Sequence, residues 1–159
     1  MLRPIDWSCA QCASACTIKP GWFAPGEVAR AAALADLTEQ EFFARFCAVD
    51  RDWDTGTPAI SPAVKGAAAG QEYPLGDPWG ECIFYRSGGC LIHAVKPLEC
   101  RWYDHRRSQA ELQAHQVRLA ARWERGGQGE VARLLGRVPL PLVKVSEGRY
   151  LEFVEIRGW

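Results

Sequence analysis

Six of the chain's seven cysteines fall into two groups, and this grouping constrains the fold more than any other feature of the sequence. The first group is Cys9-Ala10-Gln11-Cys12-Ala13-Ser14-Ala15-Cys16; the second lies between Glu81 and Arg101 and holds Cys82, Cys90 and Cys100. Two cysteines separated by two residues can grip one ion, because the turn between them points both sulfurs the same way. Cys9 and Cys12 have that spacing, and Cys16 follows one helical turn beyond Cys12. In the second group, Ser87-Gly88-Gly89 supplies a tight turn that brings Cys82 toward Cys90, and Pro97 directs the approach to Cys100. A centre that used both groups would close a long loop and pin the fold where they meet.

The compartment bears on what these thiols do. No apolar run approaches the roughly 18–20 residues needed to span a bilayer, and Met1 to Ser8 lacks the apolar core of a secretory signal. The expected location is the cytoplasm, where thiols stay reduced and clustered cysteines serve metal binding or redox chemistry rather than a disulfide framework. The odd count agrees, since one thiol would be left over. A thioredoxin-like redox pair shares the CxxC spacing, but no βαβ pattern surrounds it and five further cysteines are present, so metal binding is the favoured reading.

Other residues sort around the two groups. Cys47 follows Phe42, Phe43 and Phe46 at helical spacing with no thiol or histidine within four residues, and reads as a small core residue. His93, three residues from Cys90, is the histidine favoured as an additional ligand; His105 and His115 rank behind it. Lys96 and Arg101 flank Cys100 and could offset thiolate charge. Formal net charge is zero, yet residues 24–85 hold ten acids against four bases and residues 101–137 hold eight arginines against four acids. A solvated helix face accounts for the arginines better than a nucleic-acid surface.

The length predicts one domain, residues 1–159, with a cysteine-cluster region over 9–103 and a helical and hairpin extension over 104–159. The expected class is α+β: a small, mostly helical and irregular domain clipped by metal, with a C-terminal β-hairpin. Trp22 and Phe23 anchor a loop from Thr17 to Pro25. Alanine-rich residues 26–34 predict a helix ending near Ala35. Thr38 and Glu41 have the form of a capping box and predict a second helix over 39–48. The Asp-, Gly- and Pro-rich text from Asp50 to Trp79 reads as one long loop. Helices follow over 108–125 and about 129–135, the latter stopped by Gly136. The hairpin spans Leu142–Val145 and Tyr150–Ile156 with Gly148 in its turn.

Taken in order, Cys9-x2-Cys12-x3-Cys16, then Glu81-Cys82-Ile83-Phe84, then Cys90-Leu91-Ile92-His93-Ala94-Val95-Lys96-Pro97-Leu98-Glu99-Cys100-Arg101 resembles the YkgJ-type cysteine cluster proteins, described as a zinc- or iron-chelating domain. The correspondence covers roughly residues 9–103. Two departures stand out: Ala15 occupies the place of the first cysteine of the family's adjacent pair, and His93 that of a tyrosine. The resemblance implies a metal ion as partner and Cys9, Cys12, Cys16, Cys82, Cys90 and Cys100 as its ligands. Zinc is placed ahead of iron or an iron–sulfur cluster. No catalytic residue is assigned: a similar cluster accompanies flagellin lysine methylases, but only about 55 residues follow it here and no G-x-G-x-x-G loop is present. A protein partner stays open; neither membrane nor nucleic acid is expected.

Overall fold

The computed structural model describes residues 9–140 in full and the backbone of 5–6, 142–145 and 149–152. Among the described residues there are six α-helices, α1 (Ala10–Ser14), α2 (Glu27–Leu34), α3 (Glu39–Phe46), α4 (Leu98–Trp102), α5 (Gln109–Gly126) and α6 (Gln128–Leu135). The same residues hold seven short strands: β1 (Ile5–Asp6), β2 (Cys47–Arg51), β3 (Pro58–Pro62), β4 (Tyr85–Arg86), β5 (Gly89–Cys90), β6 (Leu142–Val145) and β7 (Arg149–Glu152). Every strand pair is antiparallel, in the arrangements β1-β5-β4, β2-β3 and β6-β7. The fold is α+β. The expected C-terminal hairpin falls mostly on residues outside those described in full, its turn and residues 153–156 among them.

Local chemistry sets the helix ends. Thr38 Oγ1 accepts from the Glu41 amide at 3.2 Å while Glu41 Oε2 accepts from the Thr38 amide at 2.9 Å, which closes the capping box of α3. Ser108 and Glu111 do the same for α5, at 3.2 and 2.8 Å. Gly136 takes φ +80° just beyond α6, a left-handed stop that a Cβ would oppose. α3 ends at Phe46 and not at residue 48, because Cys47 is already extended (φ −121°, ψ 167°) and opens β2.

The stretch expected as one long loop, Asp50 to Trp79, holds all of β3 and the end of β2, which pair in register from Cys47 opposite Pro62 to Arg51 opposite Pro58. Both prolines sit at strand ends, where a missing N–H costs least. All five β2 residues are buried, Asp50 and Arg51 included, so the alternation that reveals a half-buried strand is absent. The turn is organised by Asp52, whose Oδ2 accepts from the amide and hydroxyl of Thr55 at 2.9 and 2.8 Å.

One core joins both ends of this region. Phe23, Val28, Phe42, Phe43, Phe84 and Ile92 pack in the same cluster as Leu119 and Trp123 of α5 and Val131 and Leu134 of α6. Phe42 and Phe84 stack with ring centroids 5.6 Å apart. Trp123 Nε1 donates to the Phe23 carbonyl at 2.7 Å, so the largest side chain of the core is also polar-satisfied. Each such side chain contributes about 1.5–3 kcal/mol on burial. The α5–α6 pair therefore holds the cysteine-bearing segments from behind.

Candidate metal centre

Cys9 is the N-cap of α1, and its sulfur accepts from the Cys12 amide at 3.3 Å. One turn of this short helix brings Cys12 alongside. The loop between α4 and α5 then returns His105 to the same place: its Nδ1 lies 3.3 Å from Cys9 Sγ and 3.2 Å from Cys12 Sγ. Among the described residues this is the one group of three Cys, His, Asp or Glu ligand atoms that all lie within 4.8 Å of one another. Zn–S and Zn–N bonds of about 2.3 and 2.0–2.1 Å on a tetrahedral ion put sulfur and nitrogen about 3.6 Å apart. The observed separations fall within a few tenths of an ångström of that, and the Cys₂His donor set suits zinc or iron.

The electrostatics of this trio suit a deprotonated ligand. The Cys12 amide lowers the Cys9 thiol from its ordinary value. For Cys12 the backbone of His105 pulls downward, but the neighbouring Cys9 sulfur and desolvation leave it raised, so the pair gives up a first proton more readily than a second. Asp104 Oδ1 stands 3.9 Å from His105 Nδ1, and Arg106, paired with the Asp104 carboxylate at 2.6 Å, holds that carboxyl far below its usual range.

The remaining four candidate thiols gather elsewhere. Cys16 comes from the 3₁₀ turn after α1, Cys82 from the loop before β4, Cys90 from β5 and Cys100 from α4, and all four border one cavity of about 10 Å³. The Cys82 amide donates to the Cys16 carbonyl at 2.7 Å and ties the two groups together through backbone. Trp22 N donates to Glu99 Oε2 at 2.6 Å, which presses the loop at Gly21 against α4. A Cβ on Gly21 would lie 2.7 Å from Cys100 Sγ, so only glycine fits that approach. Burial, reinforced by Cys90, pushes the Cys16 thiol up to about 11; burial likewise pushes Cys82 to about 12 and raises Cys90 and Cys100. A bound cation would reverse that preference outright.

The flanking cations divide their roles. Lys96 borders the cavity and acts favourably on Cys16 and Cys90. Arg101 turns away from the thiols: it donates to Glu27 Oε1 at 2.5 Å and to the Lys96 carbonyl at 2.7 Å. Glu27 Oε2 also accepts from the Ala24 and Leu98 amides, at 2.8 and 2.9 Å, and so positions the start of α4. Arg101 is thus a structural partner of Glu27.

Cys47 is fully buried on β2 and is part of neither the small cavity's lining nor the Cys9–Cys12–His105 trio; burial, with Cys82 nearby, raises its thiol. His93 follows Ile92 in a 3₁₀ turn and is not part of the Cys9–Cys12–His105 trio. The histidine that joins the thiols is His105, which the spacing argument ranked behind His93. The signal was faint, since nothing in Tyr103-Asp104-His105-Arg106 shows that the α4–α5 loop folds back 96 residues to Cys9. A cleft of about 690 Å³ opens beside the thiols, bordered by Cys12, Cys16, Cys82 and Cys100 and by Trp53, Trp79 and the α5 side chains. No helix among the described residues is long and apolar enough to cross a membrane. Comparison with protein-family models, curated proteins and solved structures finds no match to this chain.

Proposed function

We propose that this chain is a metal-binding cysteine cluster protein of the kind its sequence resembles, the YkgJ-type zinc- or iron-chelating domains. The observation that carries the reading is the convergence of Cys9, Cys12 and His105 at distances close to those of a metal's donor atoms. The six patterned thiols, Cys9, Cys12, Cys16, Cys82, Cys90 and Cys100, serve as ligands, and His105 joins them. Zinc is the metal proposed, with iron or an iron–sulfur cluster as the competing occupant, and the protein works in the reducing cytoplasm. An ion bound here would cross-link α1, the Glu81–Cys100 segment and the α4–α5 loop, so its binding free energy becomes folding free energy.

Anaerobic purification followed by elemental analysis and a visible spectrum tests the reading. A colourless protein holding stoichiometric zinc supports it. A brown protein with matched iron and sulfide replaces zinc by a cluster, and a metal-free protein with intact fold overturns metal binding.

A further inference from the structure

We propose that Cys16, Cys82, Cys90 and Cys100 form a second metal centre, separate from Cys9–Cys12–His105 and closed to outside ligands, whereas the first centre keeps a coordination place for an external donor. This rests on the metal-binding reading above and divides its ligands between two ions of different character.

The division follows from where the sulfurs sit. The small cavity is bordered by Cys16, Cys82, Cys90 and Cys100 and walled by Phe84, Ile92 and Pro97; Cys9, Cys12 and His105 do not border it. Cys16 lies in the 3₁₀ turn that continues α1, and its carbonyl accepts from the Cys82 amide at 2.7 Å, which sets it beside Cys82. Four thiols from four chain segments are one full tetrahedral set, and three donors at the surface are one short of it. A tetrathiolate ion needs sulfurs about 3.8 Å apart. No three of these four lie within 4.8 Å of one another, so side-chain rotation must draw them onto the ion.

Three further features fit a buried cation rather than four idle core thiols. The cavity of about 10 Å³ is the size of a single atom's site, too small for a multi-atom iron–sulfur cluster without expansion. Gly21 leaves room for Cys100 Sγ where any Cβ would collide at 2.7 Å. Lys96 stands on the cavity wall, where it would offset the net negative charge of a metal tetrathiolate. As each metal–sulfur bond forms, the thiol proton leaves to solvent; no electron is transferred.

The first centre differs in donor count. Cys9, Cys12, Cys16 and Cys100 are all half-exposed, and Cys12, Cys16, Cys82 and Cys100 all border the cleft of about 690 Å³, so the cleft reaches both groups; His105 is the exposed donor. Ions held by three protein donors bind a fourth from solution, and those held by four do not. The external donor expected is a small soft or nitrogenous ligand, for which imidazole serves as probe.

The test is cobalt(II) loading of the full chain under anaerobic conditions, read by elemental analysis and visible absorption. Wild type should take two ions. A Cys9→Ser/Cys12→Ser variant should keep one, with a tetrathiolate spectrum that imidazole leaves unchanged. Cys90→Ser should keep the other, with a spectrum that imidazole shifts. Should Cys90→Ser fail to fold, Gly21→Ala, whose Cβ would meet Cys100 Sγ at 2.7 Å and the Cys100 amide and Glu99 Cβ at 3.2 Å, takes its place and should lose the same ion. One ion per chain abolished by either set means a single shared centre and overturns the division while leaving metal binding intact. Stoichiometry that depends on Cys9 and Cys12 alone overturns the second centre. No cobalt in wild type refutes the metal-binding reading itself.

Discussion

Sγ of Cys9 and Nδ1 of His105 stand 3.3 Å apart although 96 residues separate them in the chain. That contact makes His105 a ligand candidate and supplies the first prediction. His105→Ala should weaken metal binding at this centre at least about tenfold, or about 1.4 kcal/mol. Competition with a chromophoric chelator measures it. His93→Ala should leave the same titration unchanged, and the reverse result would return the ligand role to His93.

Gly21 faces Cys100 with no space for a methyl group, the nearest contact of an added Cβ being 2.7 Å from the sulfur. Gly21→Ala should displace Cys100 and lower metal content. Gly129→Ala is the matched control: an added Cβ there meets nothing within 4 Å, and helix α6 should gain roughly 0.5–1 kcal/mol. Equal metal retention in both variants would show that Cys100 is not held by this approach.

Cys47 lies fully buried on β2 and belongs neither to the small cavity's lining nor to the Cys9–Cys12–His105 trio. Cys47→Ala should cost roughly 1–2 kcal/mol in urea unfolding and leave metal per chain unchanged. A folded variant that loses metal would make Cys47 a ligand.

Glu27 accepts from two amides, those of Ala24 and Leu98, and from Arg101. Glu27→Ala strands the Ala24 N–H ahead of α2 and the Leu98 N–H at the start of α4, and should cost about 3 kcal/mol. Arg101→Ala should cost less, about 1 kcal/mol, because that side chain is 38% exposed and solvent screens its charge. The ratio of the two losses, read from denaturant midpoints, separates the amide contacts from the ion pair.

Glu130 keeps Oε1 buried without a hydrogen-bond partner, and burial raises its carboxyl above the ordinary 4.5. The native state therefore holds a proton that the unfolded chain has already released. Its stabilising contribution is full below about 4.5 and is lost as pH rises through the folded value. Glu130→Gln should flatten the pH dependence of stability in that window, seen as midpoints that vary less as pH rises above about 4.5. Parallel wild-type and variant curves would place the carboxyl in solvent.

Helices α2, α3, α5 and α6 were legible because their signals are local. An alanine run, the Thr38–Glu41 capping box, an apolar stripe and Gly136 each act within a turn or two of chain. The grouping of the thiols was legible for the same reason: CxxC spacing and the Ser87-Gly88-Gly89 turn are properties of short segments. What the sequence could not determine depends on contacts between distant segments. Strand β2 is buried along its whole length, its Cys47, Ala48 and Val49 in the apolar core and its Asp50 and Arg51 bonded by Trp22, Lys19 and Glu72, and this erased the alternation that would have marked it. Arg101 sits beside Cys100 in sequence, yet Glu27 captures it, because a carboxylate from α2 reaches it where the thiols do not. Cys16 follows Cys12 by four residues, yet the Cys82 amide bonds its carbonyl across the fold, a contact that no local spacing encodes. His105 acquires its place only because α5 packs against Phe23 through Trp123 and brings the preceding loop back over α1. Spacing sets which donors can share an ion; packing of the helices that carry them decides which ones do.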